Sequence, residues 1–328
     1  MPEFLQTIWS GLNAFDVSHH DLVQVLGGLL LLFAGGEGLV RGAVALAQKL
    51  KLSNLIIGLT VVGFGTSMPE LLVSLQAAQT GHTDIAIGNV VGSNIANILL
   101  ILAVGALISP IAIKGWGVRR DALVMVAASA GLMWLGFERG MITREAGLIM
   151  VLCLVAYLVI TYLMERKADT TIEAKTTPMP VLLSLLWIAL GLGMLILGAD
   201  WLVRGATTMA QNAGISDAVI GLTLVAVGTS LPELTVSVIA GFKRQGDIAL
   251  GNVLGSNLFN ILGILGISAI TQPLIITSDM AHMSIPVMLC VSAVLCALVL
   301  FTQRIGRVVA SMAILSYCLY AAWLVSAG

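Results

Sequence analysis

The sequence predicts an all-α polytopic membrane protein, with ten transmembrane helices arranged as two inverted five-helix repeats and with helices 2 and 7 discontinuous. Three observations carry that prediction. First, 58% of the 328 residues are hydrophobic and only 10% charged, with a mean hydropathy of +1.02. A soluble domain is nearer ~25% charged, so ionisable groups are too few here to cover a water-facing surface. Second, apolar runs long enough to cross a bilayer recur from Leu22 to Ser326. Third, the chain repeats itself at an offset of 163 residues. The net charge of -1, with no basic block longer than two residues, argues against a nucleic-acid partner and leaves the lipid bilayer as the surrounding phase.

Taken in order, Met1 to Asp21 lacks the basic start of a cleavable signal. Phe4, Leu5, Ile8, Trp9 and Leu12 make a short interfacial helix there. Windows of about 20 residues place spans near 22–48, 54–80, 84–108, 121–137 and 145–164. Polar residues including Arg166, Lys167, Asp169, Glu173 and Lys175 then mark 165–180 as a solvated linker. Five more spans follow near 182–210, 216–241, 247–271, 283–302 and 307–326. The whole chain, 1–328, is one membrane domain, with repeats at 22–164 and 181–328.

Sorting the basic residues by side tests the count. With ten spans, one side holds only Arg139, Arg144 and Arg204, while the other holds the remaining thirteen Lys and Arg. Positive residues concentrate on the cytoplasmic side. The chain is therefore expected in the cell (inner) membrane as a multi-pass protein, with its linker cytoplasmic and both termini outside. Cys153, Cys290, Cys296 and Cys318 lie inside apolar runs and read as buried reduced thiols. His19, His20, His82 and His282 fall in loops or near span ends and read as solvated.

Gly58–Leu102 aligns with Gly221–Leu265 without a gap, and 27 of the 45 pairs are identical. The first copy reads GLTVVGFGTSMPELLVS and then DIAIGNVVGSNIANILLIL; the second reads GLTLVAVGTSLPELTVS and then DIALGNVLGSNLFNILGIL. Five spans is an odd number, so the second copy enters the membrane from the opposite side. Matching polar motifs in antiparallel copies meet near the midplane, the layout of secondary transporters.

Glu70 and Glu233 lie within their spans, where a carboxylate costs at least a few kcal/mol unless partnered or used. No basic residue shares their depth on the second or seventh span. Pro69 and Pro232 precede them and lack the N–H that the carbonyls of Gly65 and Gly228 would receive in a helix. Both helices should break there, with carbonyls turned to the midplane. Such a break is tolerable only beside a cavity or a cation. Helical spacing puts Thr66, Ser67 and Ser74 on the face of Glu70, and Thr229, Ser230 and Ser237 on that of Glu233.

On the next span of each half, Ser93 and Asn97 and their copies Ser256 and Asn260 face the glutamates. Gly88, Gly92, Gly251 and Gly255 pack against the broken helix. Asn89, Asn94, Asn252 and Asn257 read as interhelical hydrogen-bond glue, and Asp84 and Asp247 as helix caps. Glu37 with Arg41, and Asp200 with Arg204, have the spacing of intrahelical ion pairs at opposite faces. The ligand set is all oxygen and suits a hard cation. Ca²⁺, which accepts many irregular oxygen ligands, fits better than Mg²⁺, zinc, copper or iron.

Paired GTS-x-PE segments, each followed by GN-x-x-GSN-x-x-N, resemble the α-repeats of the cation/Ca²⁺ exchanger superfamily, and within it the sodium/calcium exchanger family of bacterial and archaeal type. The repeats cover about a quarter of the chain, and the ten-span plan nearly all of it. The resemblance implies four cation sites near the midplane and exchange of one Ca²⁺ for about three Na⁺, with Ca²⁺ and Na⁺ as cargo and no cofactor. It implies that Glu70 and Glu233 are central ligands. Thr66, Ser67, Thr229 and Ser230 would add hydroxyl and carbonyl oxygens, and Ser93, Asn97, Ser256 and Asn260 would complete the ring. Asn260 stands where some members, especially potassium-dependent ones, carry Asp. The pocket then holds two formal charges, which argues against potassium co-transport.

Proton-coupled members typically have GNA-x-E where this chain has GTSMPE and GTSLPE, so sodium coupling is favoured over a Ca²⁺/H⁺ antiporter of the same fold. A calcium channel is disfavoured by the inverted repeat within one chain. An intramembrane enzyme is disfavoured by the lack of H-E-x-x-H and of a His placed near the glutamates. Protein partners are not legible in the sequence.

Overall fold

Eight helices long and apolar enough to cross a membrane, and a ninth span made of two pieces, run through the described residues. The computed structural model describes residues 19–50, 52–167, 179–212 and 228–327. Span 1 is His19–Leu50, and span 2 joins Asn54–Thr66 to Met68–Gln79 with a 46° bend. Span 3 is Thr83–Ile108, span 4 Gly115–Arg139 and span 5 Arg144–Lys167. Span 6 is Val181–Asn212, and Leu231–Phe242 is the second piece of span 7. Span 8 is Gly246–Thr271, span 9 Met280–Phe301 and span 10 Arg307–Ala327. The expected interfacial helix near Phe4, most of the expected linker, and the first part of span 7 lie outside the described residues.

Span 4 begins six residues before the expected 121. Its extra turns carry Arg120, which reaches back to the fully buried Asp121 at 2.7 Å, while the Tyr157 hydroxyl donates to the same carboxylate at 2.6 Å. A hydropathy window rejects such a charged turn, although the Arg120 charge is paired with Asp121.

The two halves are tied together by backbone. β1 (Ile111–Ala112) pairs antiparallel with β4 (Arg304–Ile305), and β2 (Met141–Ile142) with β3 (Leu274–Ile275). Residues 111 and 142 shifted by 163 become 274 and 305, so the two ladders are copies related by the internal pseudo-two-fold. Spans 1 and 6 run against each other on glycines seven residues apart. A Cβ on Gly28 would sit 2.8 Å from the Gly198 carbonyl oxygen, and one on Gly191 2.7 Å from that of Gly35. Close backbone approach of this kind replaces the hydrophobic drive that is missing between helices in lipid.

Three readings need correction. Only Cys296 is buried; Cys153, Cys290 and Cys318 are exposed on outer helix faces, and all four are free thiols. Lipid is as apolar as a protein core, so an apolar run does not separate buried from lipid-facing positions. Asp84 and Asp247 are not caps: His82 and Gln245 hold the cap positions, and the aspartates sit in the first helical turn. There they favour the helix through its dipole. The helix of span 5 also continues through Lys167, inside the expected linker.

Candidate cation site

Each half-helix break is made by the same short sequence. Ser67 (φ −82°, ψ 9°) and Ser230 (φ −90°, ψ 6°) leave helical geometry just before Met68-Pro69 and Leu231-Pro232. Proline is tolerated in the first turn of the new helix because its absent N–H is unpaired there anyway. Glu70 and Glu233 consequently enter in the first turn of their half-helices, where the positive end of the helix dipole favours a carboxylate. That placement, with the flanking hydroxyls, explains how two acids are held without a basic partner among the described residues.

The two copies then cross. Ser67 Oγ donates to Glu233 Oε1 at 2.9 Å, and Ser230 Oγ donates to Glu70 Oε1 at 3.1 Å. Ser230 and Ser93 hydroxyls lie 3.4 Å apart, and Ser256 Oγ donates to the Gly63 carbonyl at 3.2 Å. Thr66 Oγ1 donates to Asn252 Oδ1 at 3.2 Å. Thr66, Ser67, Glu70, Ser93, Asn97, Ser230, Glu233, Ser256 and Asn260 are all buried. Thr229 completes the set at the second break.

Within this cluster several buried acceptors have no hydrogen-bond partner among the described residues: Glu70 Oε2, Glu233 Oε2, Asn97 Oδ1, Asn260 Oδ1 and the Thr229 hydroxyl. Buried oxygens are normally paired, and each one left over needs an explanation. The first four form two copies of one pair at the 163-residue offset, all of them oxygens suited to a hard cation. A cleft of about 260 Å³ between spans 2, 6 and 7 runs between Asp200 and the Pro69, Gly228 and Thr229 wall of the break.

Spans 3 and 8 carry a feature that hydrophobic pattern does not announce. Each shifts to a π-helical turn, at Asn97–Ile101 and Phe259–Ile264, so Asn97 and Asn260 sit at matching irregularities. Such turns are frequent at functional sites. Asn89 donates to Ser74 Oγ at 2.9 Å and to the Glu70 carbonyl at 3.3 Å, and Asn252 to the Glu233 carbonyl at 3.5 Å. These are the interhelical bonds expected of them, and they place Ser74 among the packing residues.

Glycines on span 8 admit the broken helix closely: a Cβ on Gly251 would lie 2.4 Å from the Leu55 carbonyl oxygen. The intrahelical pairs Glu37–Arg41 (3.1 Å) and Asp200–Arg204 (2.8 Å) form as their spacing predicts. Lys243, which the spacing did not mark, reaches Glu37 at 2.6 Å and joins the end of span 7 to span 1. Its counterpart in the first half, 163 residues earlier, is Thr80, so this tether has no copy.

An inverted-repeat bundle that encloses carboxylates and unpaired oxygens at two crossed helix breaks belongs to the class of membrane secondary transporters of cations. The comparison with known proteins makes the family specific. The model of the family described as sodium/calcium exchanger protein matches residues 20–163 and again 183–326. The sodium/calcium exchanger MaX1 of Methanosarcina acetivorans is 34% identical over 314 residues, covering 84% of this chain and 90% of that one. The inner membrane protein YrbG of Escherichia coli K12 is 34% identical over 255 residues, covering 75% and 78%. A solved structure of the sodium-calcium exchanger NCX_Mj superposes with a TM-score of 0.82 at 33% identity, covering 92% of this chain and 98% of that chain. The chain belongs to the sodium/calcium exchanger family, a family of cation/Ca²⁺ antiporters.

Proposed function

We propose that the chain exchanges Na⁺ for Ca²⁺ by alternating access, moving about three Na⁺ against each Ca²⁺ and exporting calcium where sodium flows inward. The observation that carries this reading is the matched set of partnerless oxygens on Glu70, Glu233, Asn97 and Asn260, two from each repeat. Glu70 and Glu233 are the ligands shared by both ions. Thr66, Ser67, Thr229 and Ser230 contribute hydroxyl and carbonyl oxygens, and Ser93, Asn97, Ser256 and Asn260 close the ring. Calcium and sodium then compete for one pair of carboxylates, and that competition couples their movements.

Spans 1 and 6, locked to each other by their glycines, slide as one unit across the core that holds the site. The cleft between Asp200 and Thr229 gives ions a path to the second break. One net charge moves per cycle at this ratio, so a potential of 100 mV biases each turn by about 2.3 kcal/mol. The protein acts in the cell's inner membrane, with the linker cytoplasmic and both termini outside. The two β ladders support the ten-span path, since each joins loops that it places on one side, and the concentration of Lys and Arg on the linker side supports the orientation.

The test is calcium uptake by proteoliposomes loaded with sodium and diluted into sodium-free buffer at equal pH. Uptake that requires internal sodium supports the proposal. Uptake indifferent to sodium and driven by an acid interior overturns it in favour of proton coupling through the same carboxylates.

A further inference from the structure

Behind the proposed ligand amides lies a second set of amides whose every hydrogen-bonding group is used. Asn97 Nδ2 donates to Asn257 Oδ1 at 2.9 Å, and Asn260 Nδ2 donates to Asn94 Oδ1 at 2.9 Å. Asn257 Nδ2 in turn donates to the Asn94 backbone carbonyl at 3.3 Å and to Met125 Sδ at 3.5 Å. Asn94 Nδ2 donates to the Asn257 backbone carbonyl at 3.3 Å and to Met288 Sδ at 3.6 Å. All four asparagines and both methionines are 1% exposed or less.

We propose that Asn94 and Asn257 are positioning residues that decide which end of the Asn97 and Asn260 side chains meets the cation. The inference rests on the reading above that Asn97 and Asn260 line the site. An amide has an oxygen end and an NH₂ end of nearly equal size, and only the oxygen binds a cation. A backbone carbonyl cannot donate, so it fixes its neighbour: the Asn94 carbonyl requires the NH₂ of Asn257. The Oδ1 of Asn257 must then point the other way and requires the NH₂ of Asn97. That leaves the Asn97 oxygen as the free end, as the partnerless Oδ1 shows.

The same chain of constraint runs from the Asn257 carbonyl through Asn94 to Asn260. Turning either ligand amide around would set two acceptors 2.9 Å apart with no proton between them. Each repeat thus orients the ligand of the other, and binding needs no reorientation of the amide when the ion arrives. Asparagine is required at 94 and 257, because the role takes one acceptor and two donors on a short side chain. Leucine has similar bulk and supplies none of them.

The experiment is a pair of double-mutant cycles read by the calcium concentration dependence of exchange in proteoliposomes, with binding by the purified protein as a second readout. Asn257→Leu is expected to raise the half-saturating calcium concentration about tenfold or more, the usual scale for losing an outer-shell partner, with the maximal rate much less affected. In an Asn97→Asp background the same substitution should cost less than about twofold in affinity, since a carboxylate presents oxygen from either end. Asn94→Leu should keep its full effect there, and should lose it instead beside Asn260→Asp. Should Asn257→Leu fail to fold, Asn257→Ala in the same backgrounds and the mirror-image cycle read the same coupling.

Equal costs in both backgrounds would mean that Asn94 and Asn257 only pack, which overturns the inference and leaves the site intact. Unchanged calcium and sodium dependence in both Asn97→Asp and Asn260→Asp would remove these residues from the site and overturn the underlying reading with it.

Discussion

Replacing Gly255 by alanine is expected to weaken calcium binding without touching a single ligand. A Cβ at this position would lie 2.1 Å from the carbonyl oxygen of Leu59 and 2.7 Å from its Cα and carbonyl carbon. The closest approach falls about 1.3 Å short of the 3.4 Å at which ordinary contact begins, and the obstacle is backbone, which cannot rotate away. Span 8 and the first piece of span 2 must therefore separate. The next residue, Ser256, holds the Gly63 carbonyl at 3.2 Å, and a shift of that size carries the bond beyond hydrogen-bonding range. Overpacking of this kind costs about 1–3 kcal/mol, which is about 5- to 150-fold if it falls on the binding-competent state.

The assay is calcium binding by the purified protein beside its thermal unfolding. Gly131→Ala in span 4 serves as the control, because no described atom lies within 4 Å of its Cβ. Weaker binding and a lower melting temperature are expected for Gly255→Ala, with neither change for Gly131→Ala. Wild-type binding and melting in Gly255→Ala would refute the claim that helix contact at this glycine shapes the site.

The crossed hydroxyls should act alike: Ser67→Ala and Ser230→Ala each remove one hydrogen bond to a carboxylate, worth about 1.5–3 kcal/mol, and calcium titration should show losses of about tenfold or more in both. Lys243→Gln releases Glu37 from its tether. With the native cysteines removed, a cysteine placed at Val44, which lines the adjoining cavity, should then react several times faster with a water-soluble thiol reagent; an unchanged rate counts against the tether. Tyr157→Phe deletes the hydroxyl that donates to buried Asp121 and should lower stability by about 1–3 kcal/mol with calcium affinity unchanged, as a melting curve and a titration together would show.

The span plan was legible because a bilayer imposes a length and an apolarity that a window detects, and the inverted repeat because two copies preserve polar letters where lipid permits few. The breaks at Pro69 and Pro232 followed from proline's missing donor, and the residues around them do come together. What pattern could not supply was direction around each helix. Cys153 and Cys290 share their runs with the buried Leu154 and Leu295 yet face outward, a distinction that lipid erases from composition.

The work of Asn94 and Asn257 depends on contacts across the pseudo-two-fold, and the π-helical turns at Asn97 and Asn260 leave no mark in hydropathy. Lys243 was read only as a positive charge on one side, since its partner Glu37 lies 206 residues away in sequence. The glycine heptads at 28, 35 and 42 and at 191, 198 and 205 were a visible signal, one that a search for seven-residue spacing would have found. Asp121 marked the predicted start of span 4, and only its partners Arg120 and Tyr157 show it to be interior.

Equilibrium calcium binding by the purified protein, with and without competing sodium, tests the central claim most directly when wild type is set beside Glu70→Gln and Glu233→Gln. Glutamine preserves size and one oxygen while removing the charge, so both variants should fold, melt near the wild type and bind no calcium, while sodium displaces calcium from the wild type. Calcium binding retained in either folded variant would contradict the assignment of the two glutamates as the shared ligands of the site.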